Sequence, residues 1–183
     1  MLHITVPARE YFNEETQEFS ETKECSMVME HSLISISKWE AKWKKSYFST
    51  NNKTTEEVLD YLRCMTISPQ GVDWSVYANL PDYILKQISE YIDDPMTATT
   101  ISDASVIGHS RKQVITSELV YYWMIAQNIP IEFEKWHINR LLTLIKVCSI
   151  KNNPNPKKMN RSAIVKQNRA INAARRAKYS TKG

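Results

Sequence analysis

Apolar positions are densest between Val114 and Ile150, in VITSELVYYWMIAQNIPIEFEKWHINRLLTLIKVCSI, where two repeats of helical spacing meet at Asn128-Ile129-Pro130. In the first, Leu119, Trp123 and Ala126 share a face, with Val120, Met124 and Gln127 one position on. In the second, Phe133, Trp136, Leu141, Leu144 and Val147 form a stripe widened by Ile138, Leu142 and Ile145. Proline lacks an N–H and suits the first turn of a helix, while disfavouring helical geometry at the residue before it. The pattern therefore predicts a helical hairpin turning at Pro130, with Thr116 as N-cap of its first helix. Neither repeat has a clean polar face, so both helices are expected to be largely buried and to form the core.

The N-terminal third alternates instead. Leu-His-Ile-Thr-Val at 2–6 reads as a half-buried strand ended by Pro7, and Cys25 to Ile36 alternates again. Between them Arg9 to Glu24 is a polar, acidic connection with a turn signal at Asn13-Glu14-Glu15-Thr16. Two or three antiparallel strands are expected between residue 1 and about 34. A lone hairpin is marginal in water, so it must pack on the helices or on another subunit.

Ser37-Lys38-Trp39-Glu40 has the spacing of a capping box, opening a short helix with Trp39 and Trp43 on one face among Lys38, Lys42, Lys44 and Lys45. That face could be an aromatic and basic surface for nucleic acid. The commoner fate of two indoles one turn apart is to anchor the helix to its core. Thr54 with Glu57 offers a second capping box, for a helix to about Met65 that buries Val58, Leu59, Leu62 and Met65. Ser68-Pro69-Gln70-Gly71 is a turn signal. A short helix is expected at Asp73 to Asn79. A clearer one follows Pro81, with Ile84, Ile88 and Tyr91 inward, widened by Leu85 and Ile92, and Asp93-Asp94-Pro95 stops it. Met96 to Lys112 has no helical period and reads as a loop. Asn152-Asn153-Pro154-Asn155-Pro156 reads as a linker, and Ser162 to about Lys178 favours helix yet offers few large aliphatics, so it is expected to order on a partner. The pattern predicts an α+β fold, predominantly helical: an N-terminal β element at 1–36, a helical body at 37–152, and a linker with a basic arm at 153–183.

Charge sharpens that division. Of 24 Lys and Arg, nine lie in 157–183 (Lys157, Lys158, Arg161, Lys166, Arg169, Arg175, Arg176, Lys178 and Lys182), a stretch with no Asp or Glu. The remaining fifteen meet all 20 acidic residues, so the body carries −5 and the arm +9. The arm has three readings: a solvated terminus, a surface for acidic protein, or a salt-sensitive, sequence-independent grip on nucleic acid. Only Tyr179 within it could stack on a base.

Candidate chemistry is thin. His3, His31, His109 and His137 are scattered, without metal-ligand spacing, and His137 beside Trp136 reads as a core histidine. Cys25, Cys64 and Cys148 have no CxxC partner and read as small hydrophobes in a reducing cytosol. No acid–base carboxylate pair, glycine-rich phosphate loop, GxSxG or HExxH is present. A non-enzymatic protein without catalytic residues, metal or cofactor is expected, with no membrane span and a place in the cytoplasm.

Four runs carry a resemblance: EHSLISISKWEAKW (Glu30 to Trp43), IDDPMTATT (Ile92 to Thr100), YYWMIAQNIPIEFEKWHINRLLTLIKVCSIKNNP (Tyr121 to Pro154) and QNRAINAARRAKYSTKG (Gln167 to Gly183). The chain resembles, over essentially its whole length, small proteins of siphophage-like tailed bacteriophages encoded among the tail genes and regarded as tail assembly chaperones. The resemblance implies a mostly helical, non-enzymatic protein of the infected host's cytoplasm. It would bind the long tape measure protein and help tail-tube protein polymerise around it. No catalytic residues carry over. Partner contact is then expected from an aromatic surface including Trp39 and Trp43, and from the arm through Lys157, Lys158, Arg161, Lys166, Arg169, Arg175, Arg176 and Lys178. Self-association is also expected, from the strand edge and the abundance of apolar helix. The rival readings are a virion component, such as a head–tail joining or tail completion protein, and a small nucleic-acid-binding protein using the arm.

Overall fold

The computed structural model describes residues 1–13, 18–50, 52–101, 114–152, 165, 168–173 and 176. Strand β1 (Leu2–Val6) pairs antiparallel with β4 (Cys25–Met29), Leu2 opposite Met29 and Val6 opposite Cys25. The two-residue period puts Ile4, Val6, Met27 and Met29 on one buried face, all under 5% exposed. The expected acidic connection contains two further strands, β2 (Arg9–Asn13) and β3 (Glu18–Thr22), paired to each other. The turn signal at 13–16 falls mostly outside the described residues. A three-residue strand, β5 (Thr66–Ser68), joins β4 to complete a sheet ordered β1-β4-β5.

The first helix starts earlier than its sequence signal. Strand β4 stops at Met29, and α1 runs Leu33–Trp43, capped by Ser32, whose side chain accepts the Ser35 amide at 3.3 Å. Ser37 thus lies inside the helix. Leu33, Ile36 and Trp39 are fully buried, a stripe at three-residue steps that the alternating pattern had masked. Lys44 closes α1 in the left-handed region (φ 55°).

Helix α2 (Thr55–Met65) has the expected capping box, the Glu57 side chain accepting the Thr54 amide at 2.8 Å. Its buried face is rotated from the expected one. Tyr61, Leu62 and Met65 face inward together with Glu57 and Asp60, while Val58 is 41% exposed. Asp73 caps the short α3 (Trp74–Ala78), and α4 (Asp82–Asp93) buries Ile84, Ile88 and Tyr91 as its spacing requires.

The helical hairpin is present with two differences. Helix α5 (Ser117–Ala126) is capped by Thr116 and buries Ser117, Val120 and Met124, but Tyr122 and Ile125 are 63% and 73% exposed. Beyond its last residue, Asn128 is left-handed at φ 54°, and Ile129 tucks back with its amide on the Met124 carbonyl at 2.8 Å. The second helix is not continuous. Ile131–Lys135 forms a 3-10 turn, and α6 begins only at Ile138, running to Lys151. The break lies where the backbone is drawn off by another element: His137 bridges to Ser32, and the Ile138 amide donates to the His31 carbonyl at 2.7 Å. Residues Ile138, Leu141 and Ile145 are the inward stripe of α6.

The chain is α+β and mostly helical. It forms two compact units, Met1–Lys151 and Asn152–Gly183. In the second, residues 165, 168–173 and 176 are helical. No helix among the described residues is long and apolar enough to cross a membrane.

Candidate functional site

The tryptophans expected to reach a partner hold α1 against α2 instead. Trp39 is fully buried, its indole N–H donating to the Glu57 carbonyl at 2.8 Å. Trp43 is half-buried and donates to Asp60 at 2.9 Å. Trp39 therefore presents no surface to a partner, because its hydrogen bond and its ring are both spent inside the body. Lys42, Lys45 and Arg63 turn back onto the two buried acids, Lys42 and Arg63 on Asp60 and Lys45 on Glu57. Burial pushes the Asp60 carboxyl up, but the hydrogen bonds from Lys42 and Trp43 and the nearby cations outweigh it and hold it below the ordinary carboxylate range. Hydrogen bonds from Lys45 and from the Thr54 backbone do the same for Glu57.

A second polar cluster joins residues far apart in sequence. His31 hydrogen-bonds the Tyr61 hydroxyl, and its ring meets His137 edge-on at 5.1 Å. The His137 ring bonds the Tyr91 carbonyl at 3.0 Å, and the Tyr91 hydroxyl donates to Glu30 at 2.6 Å. Burial, and then the neighbouring His137, push His31 from 6.5 down to about 3. Burial also lowers His137, against the pull of Glu30 and Asp94, and raises Tyr47 to about 12. At neutral pH both imidazoles are uncharged, and the cluster's groups are taken up in tying the β4–α1 junction to α2, α4 and the start of α6. No buried side-chain nitrogen or oxygen among the described residues lacks a partner. Among them no group of three His, Cys, Asp or Glu is placed to hold a metal ion. Cys25, Cys64 and Cys148 are free, half-buried and packed against the core.

Several of the most exposed apolar side chains fall in and around α5. Tyr122 and Ile125 stand three residues apart on α5, Ile131 after the turn is 54% exposed, and Val114 before α5 is 56% exposed. Exposed Glu118 and Glu132 lie within the same stretch. Beside it Phe133 stacks on Trp136 at 4.0 Å between ring centres, with the Arg140 guanidinium 4.0 Å over the Trp136 ring. Sequence spacing missed this surface because it gave α5 no polar face, and an apolar residue facing water reads the same as one facing the core.

Comparison with protein-family models, curated proteins and solved structures finds no match for this chain.

In the arm, Arg169 and Arg176 are exposed on helical backbone, with Val165 and Ile171 at 45% and 39% exposure. Lys157, Lys158, Arg161, Lys166, Arg175 and Lys178 lie outside the described residues.

Proposed function

We propose that the protein binds partners during tailed-phage tail assembly, as a non-enzymatic chaperone for the tape measure protein, the tail-tube protein or both. The observation that carries a binding role is the α5 surface. Tyr122, Ile125 and Ile131, each more than half exposed, lie on α5 and the turn that follows it, while no buried side-chain nitrogen or oxygen among the described residues lacks a partner. Burying such a patch is favourable by roughly 1.5–3 kcal/mol per large side chain, which is how a partner's apolar helix face would be held. The tail-assembly assignment comes from the family resemblance of the four sequence runs, and the arm adds an exposed cationic element to the same reading.

Co-expression of tagged protein with neighbouring tail genes, followed by nuclease treatment and mass spectrometry, tests it. Recovery of tape measure or tail-tube protein supports the reading, while recovery of none of them defeats it. The exposed arginines Arg169 and Arg176 favour nucleic acid as the second reading. That reading predicts capture of nucleic acid which falls steeply with salt and is lost on deleting 157–183.

A further inference from the structure

We propose that the cleft between α1, α2 and the segment from β5 to Val72 takes an acidic peptide segment of a partner protein, with one large apolar side chain on its floor and the flanking carboxylates on its rim. The cleft is about 700 Å³, a size that holds a few side chains. Three cations from three elements line it: Lys38 of α1, Arg63 of α2 and Lys135 of the 3-10 turn. Its single carboxylate, Glu30, is buried and already met by the Tyr91 hydroxyl and the Met1 ammonium. Arg63 is shared with Asp60, but Lys38 and Lys135 are exposed and have no ion-pair partner among the described residues. A body that carries −5 overall therefore holds a local positive field here, which draws an acidic occupant and turns away a basic one. The floor is apolar: Ile34 and Val72 are half-buried, and Ile67 of β5 is 46% exposed.

The same lining disfavours other anions. The hydroxyls that could cradle a small anion are spent inside the body. Ser35 donates to the Glu30 carbonyl, Ser32 accepts the Ser35 amide, and Thr66 donates to the Leu62 carbonyl while accepting from Tyr77. A nucleic-acid base needs an open aromatic face to stack on, and the one aromatic ring among the described lining residues, Tyr77, is 2% exposed. Strand β5 is the last of its sheet, but its Thr66 amide is turned onto the Arg63 and Leu62 carbonyls. Side chains rather than an added strand therefore carry the recognition. Lysine ammoniums on flexible stems suit carboxylates spread along a peptide, and the isoleucines suit an apolar residue between them. None of Tyr122, Ile125 and Ile131 lines the cleft, so the inference is independent of the α5 surface.

The test needs no tail protein. It uses the purified full chain and a fluorescein-labelled synthetic peptide in which one leucine is flanked by glutamates, titrated by fluorescence anisotropy. The basic arm attracts any polyanion, so the cleft is read from variants that leave the arm intact. Lys38→Glu with Lys135→Glu should weaken binding at least about tenfold, and Ile67→Ser should weaken it several-fold. All three positions are exposed, so both variants should melt close to the native chain. Exchanging the probe's leucine for serine should weaken binding to the native chain and make little further difference to Ile67→Ser, as expected of two groups in contact. Equal binding of the leucine probe by the native chain and the lysine double variant overturns the proposal. So does a serine probe that binds the native chain as tightly as the leucine probe. A labelled oligothymidylate that loses the same factor in the lysine variant also overturns it and assigns the cleft to nucleic acid.

Discussion

Replacing Glu40 by glutamine should loosen two separate segments of the body at once. The carboxylate is 7% exposed and accepts two backbone amides, Tyr47 and Ser117, each at 2.7 Å. Ser117 opens α5, so one buried side chain fixes the loop after α1 and caps a helix 77 residues further along the chain. Glutamine keeps one acceptor and turns an NH2 group against the other amide. The loss is one charge-assisted hydrogen bond, about 1.5–3 kcal/mol, plus the favourable charge at the start of α5, about 0.3–1 kcal/mol. Urea denaturation followed by far-UV circular dichroism should therefore show a loss of roughly 2–4 kcal/mol with an unchanged m-value. Thermal melting should shift on the order of 10 °C. Amide exchange should accelerate at Ser117 and Tyr47 before the rest of the body. A change under about 0.5 kcal/mol would mean that water already serves these amides and that Glu40 does not hold the two segments.

Three further outcomes follow from the same structure. His31, near 3 in the fold against about 6.5 when unfolded, takes up a proton on unfolding at any pH in between. For His31 alone stability should hold above 6.5 and fall by up to about 1.4 kcal/mol per pH unit below it, so His31→Gln should reduce the loss between pH 7.5 and 5 in urea titrations, leaving the part that the lowered His137 contributes. Asp60→Ala, which strips the Trp43 indole and two cations of their shared acceptor, should cost about 1–3 kcal/mol by denaturant titration. On α2, Leu62→Ala should cost about 2–5 kcal/mol while exposed Val58→Ala stays within about 0.5 kcal/mol, and equal losses would contradict the rotated face.

Where one local signal and the packing agreed, the sequence was legible. Thr54 with Glu57, Asp73, Thr116, and the Ile84–Ile88–Tyr91 stripe all stand where spacing put them. It misled where one segment carried two patterns. Residues Leu33 to Ile36 continue the alternation of β4, yet Ser32 caps a helix there, and the Ser37 capping spacing sits inside that helix. The rotation of α2 was hidden because Glu57 and Asp60 are buried through partners on α1 and the following segment, which no single-helix period can reveal. The break at His137 depends on backbone bonds to residues 31 and 32, a hundred positions away. For the candidate site the same limit applied: Tyr122 and Ile125 were legible as apolar, but their exposure is decided by which neighbours α5 lacks.

The exposed face of α5 is the surface proposed to bind a tail protein. Capture of tape measure or tail-tube protein from co-expressing cells should be compared between the native chain and Tyr122→Asp with Ile125→Asp. Both positions are exposed, so the double variant should melt close to the native chain. It should capture at least about tenfold less partner. Equal capture by a normally folded double variant would contradict it.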